Sequence, residues 1–253
     1  MTKRQGNMSG TYRIGLLVPS SNTTVEPEFY RALPRCATVH TARLPLTQIT
    51  PDAILQLVGE LEAQSQLLAS ANVDVIVLGA TAPSFLKGRG YDREVTSRIE
   101  KATGTKATTT STALLRALQF LGIKKIALGS AYDDKVNGIA RSFLESNGLD
   151  VMEARGLGLV DNLEVGRLGA ETAYELARDL ARTGAEAIVL ACTNWRTMEV
   201  IEQLESELDR PVLSTTQVSI WDALRLAGYR GEIAECGRLL RMLSADGRLA
   251  AVA

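Results

Sequence analysis

Hydrophobic and polar positions along the chain fall into two alternating textures. Short apolar runs occur at 12–18 (YRIGLLV), 37–44 (ATVHTARL), 73–79 (VDVIVLG), 106–110 (KATTT), 124–129 (KKIALG), 149–156 (LDVMEARG), 185–191 (AEAIVLA) and 210–214 (RPVLS). Most are rich in Val, Ile and Leu, as strands covered on both faces must be. Between them lie stretches with helical spacing. Residues 52–70 carry Ile54, Leu55, Val58, Leu61 and Leu68 on one face, and 133–147, 168–183 and 196–208 are similar. Gly148 and Gly184 stand where two of these helices would stop. Strands alternating with helices predict α/β layers with mainly parallel sheets.

The pattern repeats. VDVIVLGAT (73–81) matches AEAIVLACT (185–193) at an offset of 112 residues, and YRIGLLVPSS (12–21) matches KKIALGSAYD (124–133) at the same offset. The expectation is two pseudo-symmetric α/β halves, 12–105 and 106–228, with the tail 229–253 packing back on the first half. A cleft between the halves would hold the functional site.

Parallel sheets bind ligands beyond the carboxyl ends of their strands. The matched runs end in Pro19-Ser20-Ser21-Asn22, Ala80-Thr81, Ala131-Tyr132 and Cys192-Thr193-Asn194. TTTST (108–112) and STTQ (214–217) add further hydroxyls. Several of these segments precede helices, whose free N–H groups favour anions. The arrangement suits a small molecule with one or two carboxylates. Helix capping is the competing reading for each single hydroxyl.

Cys192 closes one of the most apolar runs. A cysteine at a strand end can be an inert small hydrophobe. In a hydroxyl-lined cleft near helix N-termini it is instead expected to carry a lowered pKa and to react. Its counterpart in the repeat is Ala80. One thiol serves one face of a planar carbanion, which suits stereospecific protonation or a lyase step rather than inversion.

Composition narrows the alternatives. The 253 residues are 45% hydrophobic with a formal net charge of −1, enough for a large core and without the basic surface that nucleic acid or an anionic membrane would select. No apolar run reaches the roughly 20 residues of a membrane span. The first ten residues, MTKRQGNMSG, read as a loose polar tail rather than a signal peptide. Cys36, Cys192 and Cys236 are too few and scattered for a disulfide framework, so a reduced, cytoplasmic protein is expected. His40 is the only histidine and sits in a strand-like run, which excludes multi-histidine metal cages. Phosphate-loop and dinucleotide fingerprints are absent, GRGYD (88–92) reads as a turn, and GLGLV (156–160) is too short to carry meaning. Tyr132 is a candidate cleft donor; Trp195 and Trp221 read as packing residues. No metal or cofactor is expected, and a homo-oligomer is the base-rate assembly.

These features resemble the aspartate/glutamate racemase superfamily over most of the chain. Within it, STALLRALQFLGIKKIALGSAYDDKVN and SIWDALRLAG are similar to arylmalonate decarboxylases, whereas GLLVPSSNTT and DNLEVGRL are similar to maleate cis-trans isomerases. The resemblance makes Cys192 the thiol acid/base. It puts the first-half cysteine of racemases and isomerases at Ala80, where the decarboxylases have glycine. Their carboxylate-holding pocket falls on Thr81, Tyr132, Cys192 and Thr193. The isomerases' substrate-contacting asparagines fall on Asn22 and Asn162. Three departures stand out. Ala82 replaces a hydroxyl of the decarboxylases, and Thr193 and Asn194 replace glycines, which tells against a bulky aryl pocket. The resemblance implies a cofactor-independent decarboxylase of small malonate-like acids. The alternatives are a maleate isomerase or racemase whose first cysteine is lost, and a non-catalytic carboxylate-binding protein.

Overall fold

The structure, a computed structural model, describes residues 11–245. The N-terminal decapeptide and the last residues of the tail, 246–253, lie outside the described residues. Eight strands form two four-stranded sheets, every pairing parallel. The first contains β1 (Tyr12–Pro19), β2 (Ala37–Leu44), β3 (Val75–Leu78) and β4 (Ala107–Thr109), in the order β2-β1-β3-β4. The second contains β5 (Lys125–Tyr132), β6 (Asp150–Leu159), β7 (Ala187–Ala191) and β8 (Val212–Ser214), in the order β6-β5-β7-β8. The two orders are the same pattern, so the internal repeat is a repeat of topology. β3 and β7 are buried along their whole length, which explains why their sequences do not alternate.

Helices cover both faces. α1 (Val25–Ala32), α2 (Pro51–Gly59), α3 (Leu61–Ser70), α4 (Ala82–Phe85), α5 (Tyr91–Thr103) and α6 (Thr110–Phe120) accompany the first sheet in sequence. α7 (Asp134–Ser146), α8 (Asn162–Arg167), α9 (Ala170–Leu180), α10 (Ile201–Leu208), α11 (Thr215–Ala227) and α12 (Arg238–Arg241) accompany the second. The single helix expected over 52–70 is two, because Glu60 leaves helical geometry (φ −92°, ψ 0°) and serves as the cap between α2 and α3. The GRGYD turn is present: Gly88 and Gly90 adopt φ of 80° and 85°, open to glycine at little cost.

The sequence boundary between the halves shifts. KATTT was expected to open the second half, but its strand β4 pairs with β3 and closes the first sheet. The helix after each sheet's last strand then crosses over. α11 packs on β1, β3 and β4 of the first sheet. Leu114 of α6 lines a small apolar pocket together with Leu128 of β5 and Ala191 of β7 in the second. The two crossing helices pack against each other. Asp222 of α11, fully buried, accepts bonds from Thr108 Oγ1 (2.6 Å) and Arg116 (2.7 Å) and pairs with Arg225 (2.8 Å).

The tail also departs from expectation. At its start Tyr229 meets the Tyr12 ring of β1 edge-on at 5.6 Å. Further along, described tail residues are drawn to α10 by charge: Gly237 N–H donates to Glu202 (2.5 Å), Arg238 N–H to Glu205 (2.7 Å), and Arg241 pairs with Glu202 at 2.6 Å.

Candidate active site

Four strand ends converge on a narrow pocket. β1 contributes Pro19 and, just beyond it, Asn22. β3 contributes Ala80 and Thr81, followed by Ala82 and Pro83 of α4. β5 contributes Tyr132. β7 contributes Cys192, Thr193 and Asn194, and Asn162 comes from the start of α8. The structure thus brings together Pro19, Asn22, Ala80, Thr81, Ala82, Tyr132, Asn162, Cys192, Thr193 and Asn194. Of the residues expected there, Ser20 does not line the cavity. Its hydroxyl is occupied by Leu46, accepting from the backbone N–H at 3.0 Å and donating to the carbonyl at 3.3 Å. Ser21 donates to the same carbonyl and accepts from Asn162 at 2.8 Å.

The hydroxyl-rich runs elsewhere are structural. Thr109 and Ser214 cap α6 and α11, Thr110 donates to Leu78 O (2.9 Å), and Thr112 donates to buried Asp92 (2.9 Å). Capping wins for these residues because the turn after each closing strand must satisfy free helix N–H groups. His40 is also remote: its ring meets Thr38 at 3.1 Å within β2.

Most polar groups at the cavity wall are already committed. Asn22 accepts from the N–H groups of Thr24 (2.9 Å) and Val25 (3.0 Å) and donates to Thr193 (3.1 Å). Thr193 donates to Gly79 O at 2.9 Å. Asn194 accepts from Thr23 N–H (2.8 Å) and donates to Asn162 O (2.5 Å), while its own carbonyl accepts from Thr24 (2.9 Å). These bonds run between segments about 170 positions apart and fix one half against the other. Thr81 differs. Its buried hydroxyl lies beside that of Tyr132 but makes no well-formed hydrogen bond within the protein. The opening of α4 adds little: Pro83 has no N–H, and Ser84 N–H is taken by Thr81 O at 3.1 Å. Thr81 and Tyr132 are therefore the side-chain donors open to a ligand.

Cys192 occupies a strained turn. Its φ of 152° belongs to a region that L-residues avoid, and strain of this kind persists only where the surroundings impose it. Its N–H donates to Thr215 Oγ1 (3.2 Å), and its carbonyl accepts from Trp195 N–H (3.2 Å). The side chain is 5% exposed. Burial pushes the thiol up to about 11, against the opposite pull of the Asn194 and Trp195 N–H groups and the Tyr132 hydroxyl. The expected lowering by a helix N-terminus does not occur. The chain after Cys192 is a turn, α10 begins only at Ile201, and burial outweighs the hydrogen bonds that pull the other way. The cavity holds a protonated thiol. Burial, the nearby thiol charge and a bond to it likewise raise Tyr132 well above an ordinary phenol.

Three lining residues escaped sequence reasoning: Leu46, Ile49 and Pro83. Leu46 and Ile49 sit in the loop between β2 and α2. Ile49 N–H donates to Val160 O (2.7 Å) and Asn162 N–H to Thr47 O (3.0 Å), strapping this loop across to the second half. The apolar spacing of LPLTQI was the available signal, but no periodicity ties a loop to a strand over 110 positions away. GLGLV, set aside as meaningless, is part of β6. A Cβ on Gly156 would collide with the Tyr132 carbonyl, so glycine lets the catalytic end of β5 lie close to its neighbour.

The comparisons agree with this geometry. Residues 14–240 match the family described as arylmalonate decarboxylase. The chain belongs to the arylmalonate decarboxylase family. Among curated relatives, arylmalonate decarboxylase of Bordetella bronchiseptica is 30% identical over 222 residues, covering 87% of this chain and 92% of that one. Maleate isomerase of Geobacillus stearothermophilus is 28% identical over 247 residues, covering 92% and 98%. Among solved structures, a cysteine-to-serine variant of Nocardia farcinica maleate cis-trans isomerase, with a covalently bound succinylcysteine intermediate, superposes with TM-score 0.88 at 26% identity (92% and 99% covered). A glycine-to-cysteine, cysteine-to-serine double variant of arylmalonate decarboxylase in its liganded form gives 0.84 at 28% identity (91% and 99% covered). The family thus joins decarboxylases and isomerases of dicarboxylic acids on one fold of two parallel sheets.

Proposed function

We propose that this family member is a cofactor-independent decarboxylase of small substituted malonates, with Cys192 as the proton donor. The observation that carries the reading is a single buried, protonated thiol sharing a cavity with Ala80, where a second thiol would have to stand for two-face chemistry. One carboxylate is held by the hydroxyls of Thr81 and Tyr132. The other lies toward the apolar wall of Leu46, Ile49 and Pro83 and leaves as CO₂. The electron pair of the broken C–C bond becomes an enediolate, stabilised by the donors that held the carboxylate. Cys192 Sγ–H then gives its proton to the carbon from one face, and the thiolate is reprotonated from solvent. The N–H groups of Asn194 and Trp195 and the Tyr132 hydroxyl lie close enough to favour the transient thiolate.

Maleate isomerisation is the second reading. It is favoured by Asn22 and Asn162 at the cavity and by a TM-score of 0.88 to a maleate cis-trans isomerase. It requires Cys192 itself to add to the double bond, since position 80 offers no sulfur. Proton NMR in D₂O with substituted malonates, maleate and aspartate separates the two. Loss of CO₂ with deuterium at one face supports decarboxylation; conversion of maleate to fumarate replaces it with the isomerase. Inertness toward all three classes leaves a carboxylate-binding protein. The free cysteines Cys36, Cys192 and Cys236 fit a reducing cytoplasm, and a homo-oligomer is the assembly we expect. Among the described residues no helix is long and apolar enough to cross a membrane.

A further inference from the structure

Outside the cavity lining, a carboxyl group is buried next to the Cys192 turn. Glu28 of α1 is 2% exposed. Its Oε1 accepts from Met198 N–H at 3.3 Å and also faces the Thr197 backbone. Its Oε2 lies beside the Thr216 hydroxyl without a well-formed bond, and the hydroxyls of Thr197 and Thr216 are themselves unpartnered. Arg31, one turn further along α1, is bonded at the surface to Glu199 (3.3 Å) and does not form an ion pair with Glu28.

Burying a carboxyl without a counter-charge is costly, and an apolar side chain would fill the space more cheaply. The position therefore calls for an oxygen acceptor of this reach. What it reaches is informative. Thr197–Met198 is the segment on which the chain returns after the strained Cys192. Thr216 is the neighbour of Thr215, whose hydroxyl receives the Cys192 N–H. One carboxyl thus touches the chain five to six residues beyond Cys192 and the residue next to Thr215, which holds the Cys192 N–H, and does so from the other half of the molecule.

We propose that Glu28 is a positioning residue for Cys192: it bridges from α1 to the Thr197–Met198 backbone and the start of α11, fixing the loop that aims the thiol. The proposal rests on the reading of Cys192 as the reacting group. Its test needs no substrate, so it can fail while that reading stands.

The test is the rate at which 4,4′-dithiodipyridine, a disulfide whose protonated pyridine keeps it reactive toward thiols in mild acid, labels Cys192, followed by non-reducing peptide mass spectrometry with Cys36 as internal reference. It is run at pH 6, where burial keeps Glu28, raised to about 7, protonated, so that Gln changes little in charge. Glu28→Gln keeps the reach and an acceptor oxygen; Glu28→Asp keeps the carboxyl but withdraws it by one methylene. The expected result is wild-type labelling in Glu28→Gln and, in Glu28→Asp, Cys192 labelling faster by about fivefold as the freed loop exposes the sulfur. Any other combination overturns the proposal: both variants like wild type, both altered, or only Gln altered. Should Glu28→Asp fail to fold, amide hydrogen exchange of Met198 decides. Protection in both wild type and Glu28→Gln supports the bridge; exchange at the rate of an open loop in either overturns it.

Discussion

The ends of β3 and β7 are the same place in two copies of one topology, yet they carry different chemistry. After β3 the chain runs Gly79, Ala80, Thr81 and enters α4. After β7 it runs Cys192, Thr193, Asn194 through a strained turn. The first end offers free donors and no reactive atom. The second offers a reactive atom, while Thr193 and Asn194 are spent on holding the halves together. In the proposed mechanism the duplicated fold divides its labour: one copy binds charge and the other moves a proton. The asymmetry, rather than the repeat, points to one-sided chemistry.

Each prediction tests that division. Removing the reactive atom has the largest expected effect. Cys192→Ala lowers kcat by about 10³–10⁴ while circular dichroism stays unchanged; activity within tenfold of wild type would place the proton donor elsewhere. Removing a donor from the binding side comes next. Tyr132→Phe lowers kcat by about 10² through loss of enediolate stabilisation, with KM less affected; a change in KM alone would confine Tyr132 to ground-state binding.

A stability effect follows from the carboxyl behind the β7 end. Burial raises Glu28 to about 7, above the ordinary value of 4.5 that it regains on unfolding. The folded form therefore binds the proton more tightly. Stability is full below about pH 4.5 and falls by up to roughly 3 kcal/mol as pH rises through 7. Facing Glu28 are Arg31 on its own helix, which opposes the rise, and the Cys192 and Cys236 thiols, which ionise only near 11. Denaturant titrations of wild type and Glu28→Gln between pH 5 and 8 should diverge in this sense; parallel curves would remove Glu28 as their source. The smallest effect is a gain. Ala80→Cys makes the two ends alike and should add slow racemising or isomerising activity, read by chiral chromatography or maleate conversion. A double-thiol variant that stays strictly one-sided would break the comparison itself.

Much of this was legible in the residues. The uniform apolar runs of β3 and β7 gave strands buried on both faces, and the shared offset gave two copies of one sheet. The cavity lining from Pro19, Asn22, Thr81, Tyr132 and Cys192 was readable because strand ends in parallel sheets define where a ligand sits. Ser20 and the TTTST and STTQ hydroxyls misled, since capping and ligand binding use the same side chains in the same local setting. The thiol's ionisation misled for another reason. Local sequence showed a strand end before a helical stretch, but burial, which sequence does not display, outweighed every nearby dipole.

The sequence by itself determined the strands, their duplication, and the presence of a thiol at one strand end with alanine at its counterpart. These depend on side-chain type and on periodicity along a few residues. Tertiary structure alone decided that β4 closes the first sheet, that α6 and α11 cross between halves, that Leu46 and Ile49 wall the cavity, and that Glu28 stands against the return of the Cys192 loop. Each depends on contacts between segments far apart in the chain, whose pairing is set by the packing of the whole and leaves no mark on local pattern.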